Sequence, residues 1–208
     1  MYIPHFNAVA DPSEVHRMVE SISSAELVTV GPDGTPTATL LPILWSEDGN
    51  TAILHMARAN GHWKTIETGA KALAIIADAQ AYISPSWYAS KAEHGRVVPT
   101  WNYSAVHLTG SVEVHDDPEW VRMAVTTLTE RHEASRSEPW AVTDAPDRFV
   151  DGQLKAIVGI EMTVTGVEAK SKLSQNRSDA DRAGVIAGLT DEGGARGSIV
   201  AEQMRART

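Results

Sequence analysis

The sequence predicts a small antiparallel β-barrel decorated by helices. Three observations carry that expectation. Six or seven strand-like segments follow one another at short spacing; helical segments fall between and after them without a βαβ rhythm; and no Gly-x-Gly-x-x-Gly run joins a strand to a helix, which disfavours a Rossmann site.

Taken in order, Asp11-Pro12-Ser13-Glu14 starts a helix. Asp11 can cap it, Pro12 suits the first helical position and Glu14 completes a capping-box-like pattern, so the helix is expected to reach about residue 23. Leu27-Val28-Thr29-Val30 reads as a strand and Gly31-Pro32-Asp33-Gly34 as a turn. Residues 37–45 return as a second strand, 46–50 turn, and 51–57 make a third, which is an antiparallel meander. Residues 60–69 read as a short helix, 71–77 as a buried strand, and 81–85 as a separate extended piece ended by Pro85. Residues 86–98 read as a loop and 104–115 as another strand. Asp117-Pro118-Glu119 is a second capped helix start, for a helix over 119–133 with Trp120, Ala124, Leu128 and Arg131 on one stripe. Residues 139–145 are irregular and 146–156 helical; 157–169 form a last long strand with Val158, Ile160, Met162 and Val164 on one face. Ser178-Asp179-Ala180-Asp181 caps a C-terminal helix, and Gly193-Gly194 separates a final amphipathic tail. The expected organisation is a barrel domain with inserted helices over 1–170, and a C-terminal loop and helical tail over 171–208 packed on it.

Composition narrows the function classes. With 208 residues, 42% hydrophobic and 22% charged, the chain is an ordinary globular protein with ample length for a core. Zero cysteines exclude disulfides, thiolate metal sites and cysteine nucleophiles, and fit a cytoplasmic setting. No signal-peptide pattern opens the sequence and no apolar run approaches the roughly 20 residues needed to span a bilayer, so no membrane association is expected. The net charge of −9 and scattered Lys and Arg argue against direct DNA binding, which needs cations gathered at phosphates. Eight histidines show no diagnostic ligand spacing, and Ser84 and Ser86 lack a Gly-x-Ser-x-Gly elbow; neither a metal centre nor a serine hydrolase is expected.

Three polar or aromatic clusters could carry chemistry. Arg58-Ala59-Asn60-Gly61-His62-Trp63-Lys64 lies where a strand gives way to a helix, and free N–H groups there attract anions such as phosphate; a surface turn capped by Asn60 fits equally well. Trp101-Asn102-Tyr103 could sandwich a planar heterocycle and hydrogen-bond its edge, or serve core or interface packing, which is the commoner use. Trp87-Tyr88 adds to the aromatic neighbourhood. Gln175-Asn176-Arg177 can fix a ring edge or phosphate, although loops are often polar for solubility alone.

An ordered set of motifs then resembles a known family. The pieces are Met1-Tyr2-Ile3-Pro4 with Phe6, Leu41-Pro42 through Trp45, His55-Met56-Ala57-Arg58-Ala59-Asn60 with Trp63, Tyr82-Ile83-Ser84-Pro85-Ser86-Trp87-Tyr88, Val98-Pro99-Thr100-Trp101-Asn102-Tyr103, Val106-His107 with Gly110, and Lys172-Leu173-Ser174-Gln175-Asn176-Arg177. Together they resemble the PaiB-type FMN-binding negative transcriptional regulators, within the pyridoxamine-phosphate-oxidase-like flavin split barrels. The resemblance implies a mainly β fold, a six-stranded antiparallel FMN-binding split barrel with peripheral helices. It also implies a homodimer holding FMN non-covalently at the subunit interface. By that analogy Arg58 and Asn60 hold the phosphate with neighbouring backbone, and Thr39, His55 and Met56 line the isoalloxazine, with Ala57 and Trp63 in the same motif. Trp101, Asn102 and Tyr103 reach the partner's flavin, and Gln175, Asn176 and Arg177 close the pocket. Gly61 departs from the proline expected after Asn60, and Asp78-Ala79-Gln80 from a more apolar approach to Tyr82. A flavin-dependent oxidoreductase or a regulatory role is implied. A transcriptional repressor acting directly or indirectly, or a barrel using haem or deazaflavin instead of FMN, are the alternatives.

Overall fold

Alternating burial builds the first strand: along β1 (Ser24–Val30), Ala25, Leu27 and Thr29 are buried while their neighbours are not. The same period shapes β2 (Pro36–Trp45) and β3 (Thr51–Ala57), whose inward residues include Leu41, Ile43, Leu54 and Met56. Three longer strands follow, β4 (Ala70–Ile83), β5 (Thr100–His115) and β6 (Ile157–Lys172). In this computed structural model, which describes residues 1–207, the six close into a barrel of ring order β1-β2-β3-β6-β5-β4. The last residue of the expected 171–208 tail lies outside the described residues. β1 pairs antiparallel with both β2 (Leu27↔Thr39) and β4 (Leu27↔Ala74), β2 with β3 (Ile43↔Leu54), and β3 with β6 (His55↔Gly159). The expected six-stranded antiparallel barrel with peripheral helices is therefore the fold.

Among the described residues six α-helices accompany the strands: α1 (Pro12–Ile22), α2 (Ser90–His94), α3 (Pro118–Glu133), α4 (Asp147–Leu154), α5 (Asp179–Glu192) and α6 (Ala195–Ala206). The caps are those the sequence announces. Asp117 accepts from Trp120 N at the start of α3, and Ser178 from Asp181 N at the start of α5. No helix among the described residues is long and apolar enough to cross a membrane.

The chain gathers into two compact units, neither of them a single stretch of sequence. Unit 1 comprises residues 1–15, 77–106 and 168–207; unit 2 comprises residues 16–76 and 107–167. The core of unit 2 includes Leu27, Leu54, Met56, Ile76, Leu108, Ile160 and Met162, and a satellite cluster joins Val121 of α3 to Val142, Val150 and Leu154. The core of unit 1 sets Ala81, Ile83, Tyr88 and Leu173 against Val185 and Leu189 of α5 and Val200, Ala201 and Met204 of α6.

Several local expectations need correction. Residues 71–77 and 81–83 are not two strands but parts of β4, with Ser84 and Pro85 beyond its end; the buried positions of β4 change parity, Ala72, Ala74 and Ile76, then Ala81 and Ile83. Moving the buried set by one residue changes the face presented, and the polar stretch Asp78-Ala79-Gln80 spans that change. Residues 86–98 contain a short 3-10 turn (Pro85–Trp87) and α2 rather than loop alone. The helix expected over 60–69 is a 3-10 turn, Gly61–Thr65. β6 runs on to Lys172, and β5 begins at Thr100 rather than 104, so Trp101-Asn102-Tyr103 lies within a strand. On α3 the buried stripe is Val121, Ala124 and Leu128. Trp120 stacks on His115 instead, and Arg131 is ion-paired with Glu20.

Candidate functional site

In unit 2, the end of β3 and the turn after it form one hydrogen-bonded knot. Asn60 caps the 3-10 turn by accepting from His62 N at 3.0 Å, while its Nδ2 donates to Thr39 Oγ1 at 3.2 Å. His62, which the motif reading left out of the site, is buried and bridges two threonines: Nδ1 lies 2.8 Å from Thr39 Oγ1 and Nε2 2.8 Å from Thr29 Oγ1. Burial holds its pKa below the ordinary histidine value, so near neutral pH the imidazole is uncharged. Trp63 Nε1 donates to Arg58 O at 2.9 Å and ties the turn back on itself.

Arg58 is similarly committed. Its guanidinium donates to both carboxylate oxygens of Asp116, through Nε to Lys155 O at 2.8 Å, and to Ile157 O at 3.1 Å. Four of its five N–H groups are thus used within the protein. The hydrogen bonds with Arg58 hold the Asp116 carboxyl below its ordinary pKa, and the partnership raises that of Arg58. The geometry is that of a clamp between the end of β3 and the start of β6.

Alternation along β3 sends Met56 into the barrel core and His55 to the other face, with Ala57 exposed. His55 lines a cavity of about 400 Å³ with Pro42, Val125, Leu128, Thr129 and Trp140. Its Nδ1 is buried with no hydrogen-bond partner, and burial lowers its pKa.

Unit 1 holds the other expected residues. Because Trp101-Asn102-Tyr103 is strand, its members divide between two faces. Asn102 is fully buried and exchanges hydrogen bonds with Ser174, Nδ2 donating to Oγ at 3.0 Å and Ser174 Oγ donating to Oδ1 at 3.2 Å. Trp101 is 51% exposed and meets Tyr82, 49% exposed, edge to face at 6.3 Å. Gln175 bonds the local backbone, accepting from Leu173 N and donating to Ser171 O; Asn176 is exposed; and the Arg177 guanidinium lies 4.5 Å from the centre of the Tyr88 ring.

Two lysines outside the expected site residues, one of them Lys172 at the head of the last motif, sit beside these aromatics. Lys170 is only 6% exposed; its ammonium donates to Tyr103 Oη at 2.8 Å and Tyr2 O at 3.1 Å and lies 5.0 Å from the centre of the Tyr103 ring. Lys172 donates to Trp101 O at 2.7 Å and to Thr100 Oγ1. Burial lowers the Lys172 pKa, Tyr103 opposes that, and the Lys170 charge adds to it. Lysines at i and i+2 in a strand share a face, but a last strand ending at residue 169 leaves both outside it; β6 runs to Lys172 and brings them together. The exposed rings and the two lysines on this face suit an aromatic anion such as a flavin phosphate; in the turn of unit 2 the histidine is neutral and Arg58 is engaged, while Lys64 is exposed with its ammonium 5.6 Å from the centre of the Trp63 ring.

Comparison with known proteins identifies the family. The profile of a family described as "Putative FMN-binding domain" matches residues 1–166. The chain is 32% identical over 206 residues to the Protease synthase and sporulation protein PAI 2 of Bacillus subtilis, covering 98% of this chain and 96% of that one. Among solved structures, the FAD and heme binding protein from Mycobacterium smegmatis matches 85% of this chain and 79% of its own, with a TM-score of 0.60 at 16% identity. The flavocytochrome Anf3 from Azotobacter vinelandii matches 86% of this chain and 76% of its own, with a TM-score of 0.53 at 16% identity. At such identities the structural matches speak for the fold.

Proposed function

The chain belongs to the PaiB-type FMN-binding family, and from that premise we propose that it is an FMN-binding homodimer with the flavin at the subunit interface and a redox or regulatory role in the cytoplasm. The observation that supports this reading best is the Tyr82–Trp101 pair on unit 1, two large rings about half exposed, with Lys172 donating to the Trp101 carbonyl. Rings left in water on a strand face are a common mark of a surface that binds something. Trp101 and Tyr103 would reach the flavin of the partner subunit; His55 and Ala57 on the outer face of β3, with Thr39 of β2 and with Asn60 and Trp63 of the turn, would shape the surroundings of the chain's own flavin; Met56 would support that surface from inside, and Asn102 the strand that carries Trp101 and Tyr103. Arg58 would hold the turn in place, and Gln175, Asn176 and Arg177 the loop after β6.

When bound, the flavin would supply electron or hydride transfer, while the chain binds it, orients it and limits water. A regulatory role fits the name of the Bacillus relative, which refers to protease synthesis and sporulation. The purified protein is expected to show a flavin spectrum or to take up FMN, and to sediment as a dimer of its 22.4 kDa chain. A colourless monomer that binds no FMN overturns the reading, and uptake of haem or a deazaflavin in its place corrects the cofactor.

A further inference from the structure

Within unit 2, α3 packs against β2 and β3 without filling the space beneath it. The gap is the cavity of about 400 Å³ walled by Pro42 of β2, His55 of β3, Val125, Leu128 and Thr129 of α3, and Trp140 from the segment that follows. Trp140 is anchored there by its own N–H, which donates to Glu133 Oε2 at 3.1 Å, while Arg136 Nε donates to Glu133 Oε1 at 2.9 Å. The volume falls in the range of small-molecule sites, roughly 300–1,000 Å³. Against mainly apolar walls stands His55 Nδ1, buried and without a hydrogen-bond partner. A buried nitrogen left unpaired is destabilising, and a polar group delivered to it removes that cost. No lysine or arginine lines the cavity, whereas the Glu133 carboxylate does, so an anion is disfavoured there. Burial also keeps the His55 ring neutral. In a neutral ring Nδ1 accepts in one tautomer and donates in the other, and a hydroxyl serves either.

We propose that this cavity is a binding site for a neutral aromatic alcohol, with its ring set among Trp140, Val125 and Leu128 and its hydroxyl on His55 Nδ1. The inference goes beyond the flavin reading and does not depend on it. The site recognises no phosphate, and no residue of the turn after β3 lines it. Its selectivity comes from one hydrogen bond in apolar surroundings, so a ring without the hydroxyl leaves the histidine nitrogen unpaired.

The probes are 2-naphthol and naphthalene, which share a ring system and differ by the hydroxyl, measured by equilibrium dialysis against the full chain. Wild type is expected to bind 2-naphthol. The ratio of its affinities for 2-naphthol and naphthalene is expected to fall about fivefold in His55→Leu, the size of one neutral hydrogen bond. Trp140→Ala, at a position 48% exposed, is expected to weaken both probes about tenfold and to leave their ratio within about twofold. The proposal fails if wild type does not bind 2-naphthol, if His55→Leu keeps the wild-type ratio, or if Trp140→Ala binds both probes as wild type does. Should circular dichroism show His55→Leu unfolded, Trp140→Ala decides alone. Dialysis repeated at saturating FMN separates this site from the flavin's. An unchanged 2-naphthol affinity upholds a separate site, and competitive loss makes the cavity part of the flavin's own seat and overturns it. A protein that binds 2-naphthol but no FMN keeps this site and removes the flavin reading.

Discussion

His62 bonds through both ring nitrogens to threonine hydroxyls on neighbouring strands, so the turn after β3 is held by a neutral imidazole. That choice has a pH signature. Burial keeps the folded-state pKa below the unfolded value of about 6.5, so the contribution to stability is fully present above that value and is lost as pH falls through it toward the folded pKa. His55, lowered by burial too, acts in the same direction. The melting temperature of the wild type is therefore expected to drop between pH 7.5 and 5.5, and the drop to be smaller in His62→Gln, which cannot titrate and retains a donor and an acceptor for Thr29 and Thr39. Identical pH profiles for the two proteins, by circular dichroism, would show that His62 is not the coupled group. Asn102 teaches a related lesson. An amide between two aromatics looks like part of a ligand wall in the one-letter string, and in the folded chain it satisfies Ser174 in the interior.

At the level of elements, the β3·β6 register brings His55 opposite Gly159, and the absence of a side chain there is a packing requirement. A Cβ on Gly159 would fall 2.0 Å from the Trp120 ring, the same ring that stacks on His115 at a centroid distance of 4.1 Å. Gly159→Ala is expected to displace Trp120 and cost roughly 1–3 kcal/mol in urea unfolding, the usual range for overpacking a filled site. A variant as stable as wild type would mean that the Trp120 ring can move aside freely. What could be read in advance was local. The first three strands are separated by turn residues, and the starts of α3 and α5 carry their own capping side chains, so each was evident in a window of a few residues. β4 read as two strands because its buried positions change parity between Ile76 and Ala81, a pattern that periodicity interprets as a break. The lysine pair was missed for another reason. A last strand over 157–169 stops short of both lysines, and that their face meets Tyr103, Thr100 and Trp101 depends on β6 reaching Lys172 beside β5.

For the molecule as a whole, the acidic balance bears on the regulatory role. A chain of net charge −9 offers little to a polyanion, so a gel shift with duplex DNA at physiological salt is expected to show no complex, and any influence on transcription would run through a partner or a redox product. A retained complex whose affinity falls steeply with added salt would reverse that conclusion. Sequence identity to the Bacillus protein extends over 98% of this chain, while the FMN-binding profile stops at residue 166. The stretch beyond it supplies Lys170, Lys172 and the helices that complete the core of unit 1. Barrel closure also has a consequence for biosynthesis. β3 finds its β6 neighbour only after more than a hundred further residues have been made, so one edge of the early meander waits unpaired while the rest of the chain emerges. An open strand edge is a template for the wrong partner. Slow, long-range closure prolongs its exposure, so the yield of soluble protein should depend on how fast ribosomes deliver the chain and on whether chaperones shelter that edge.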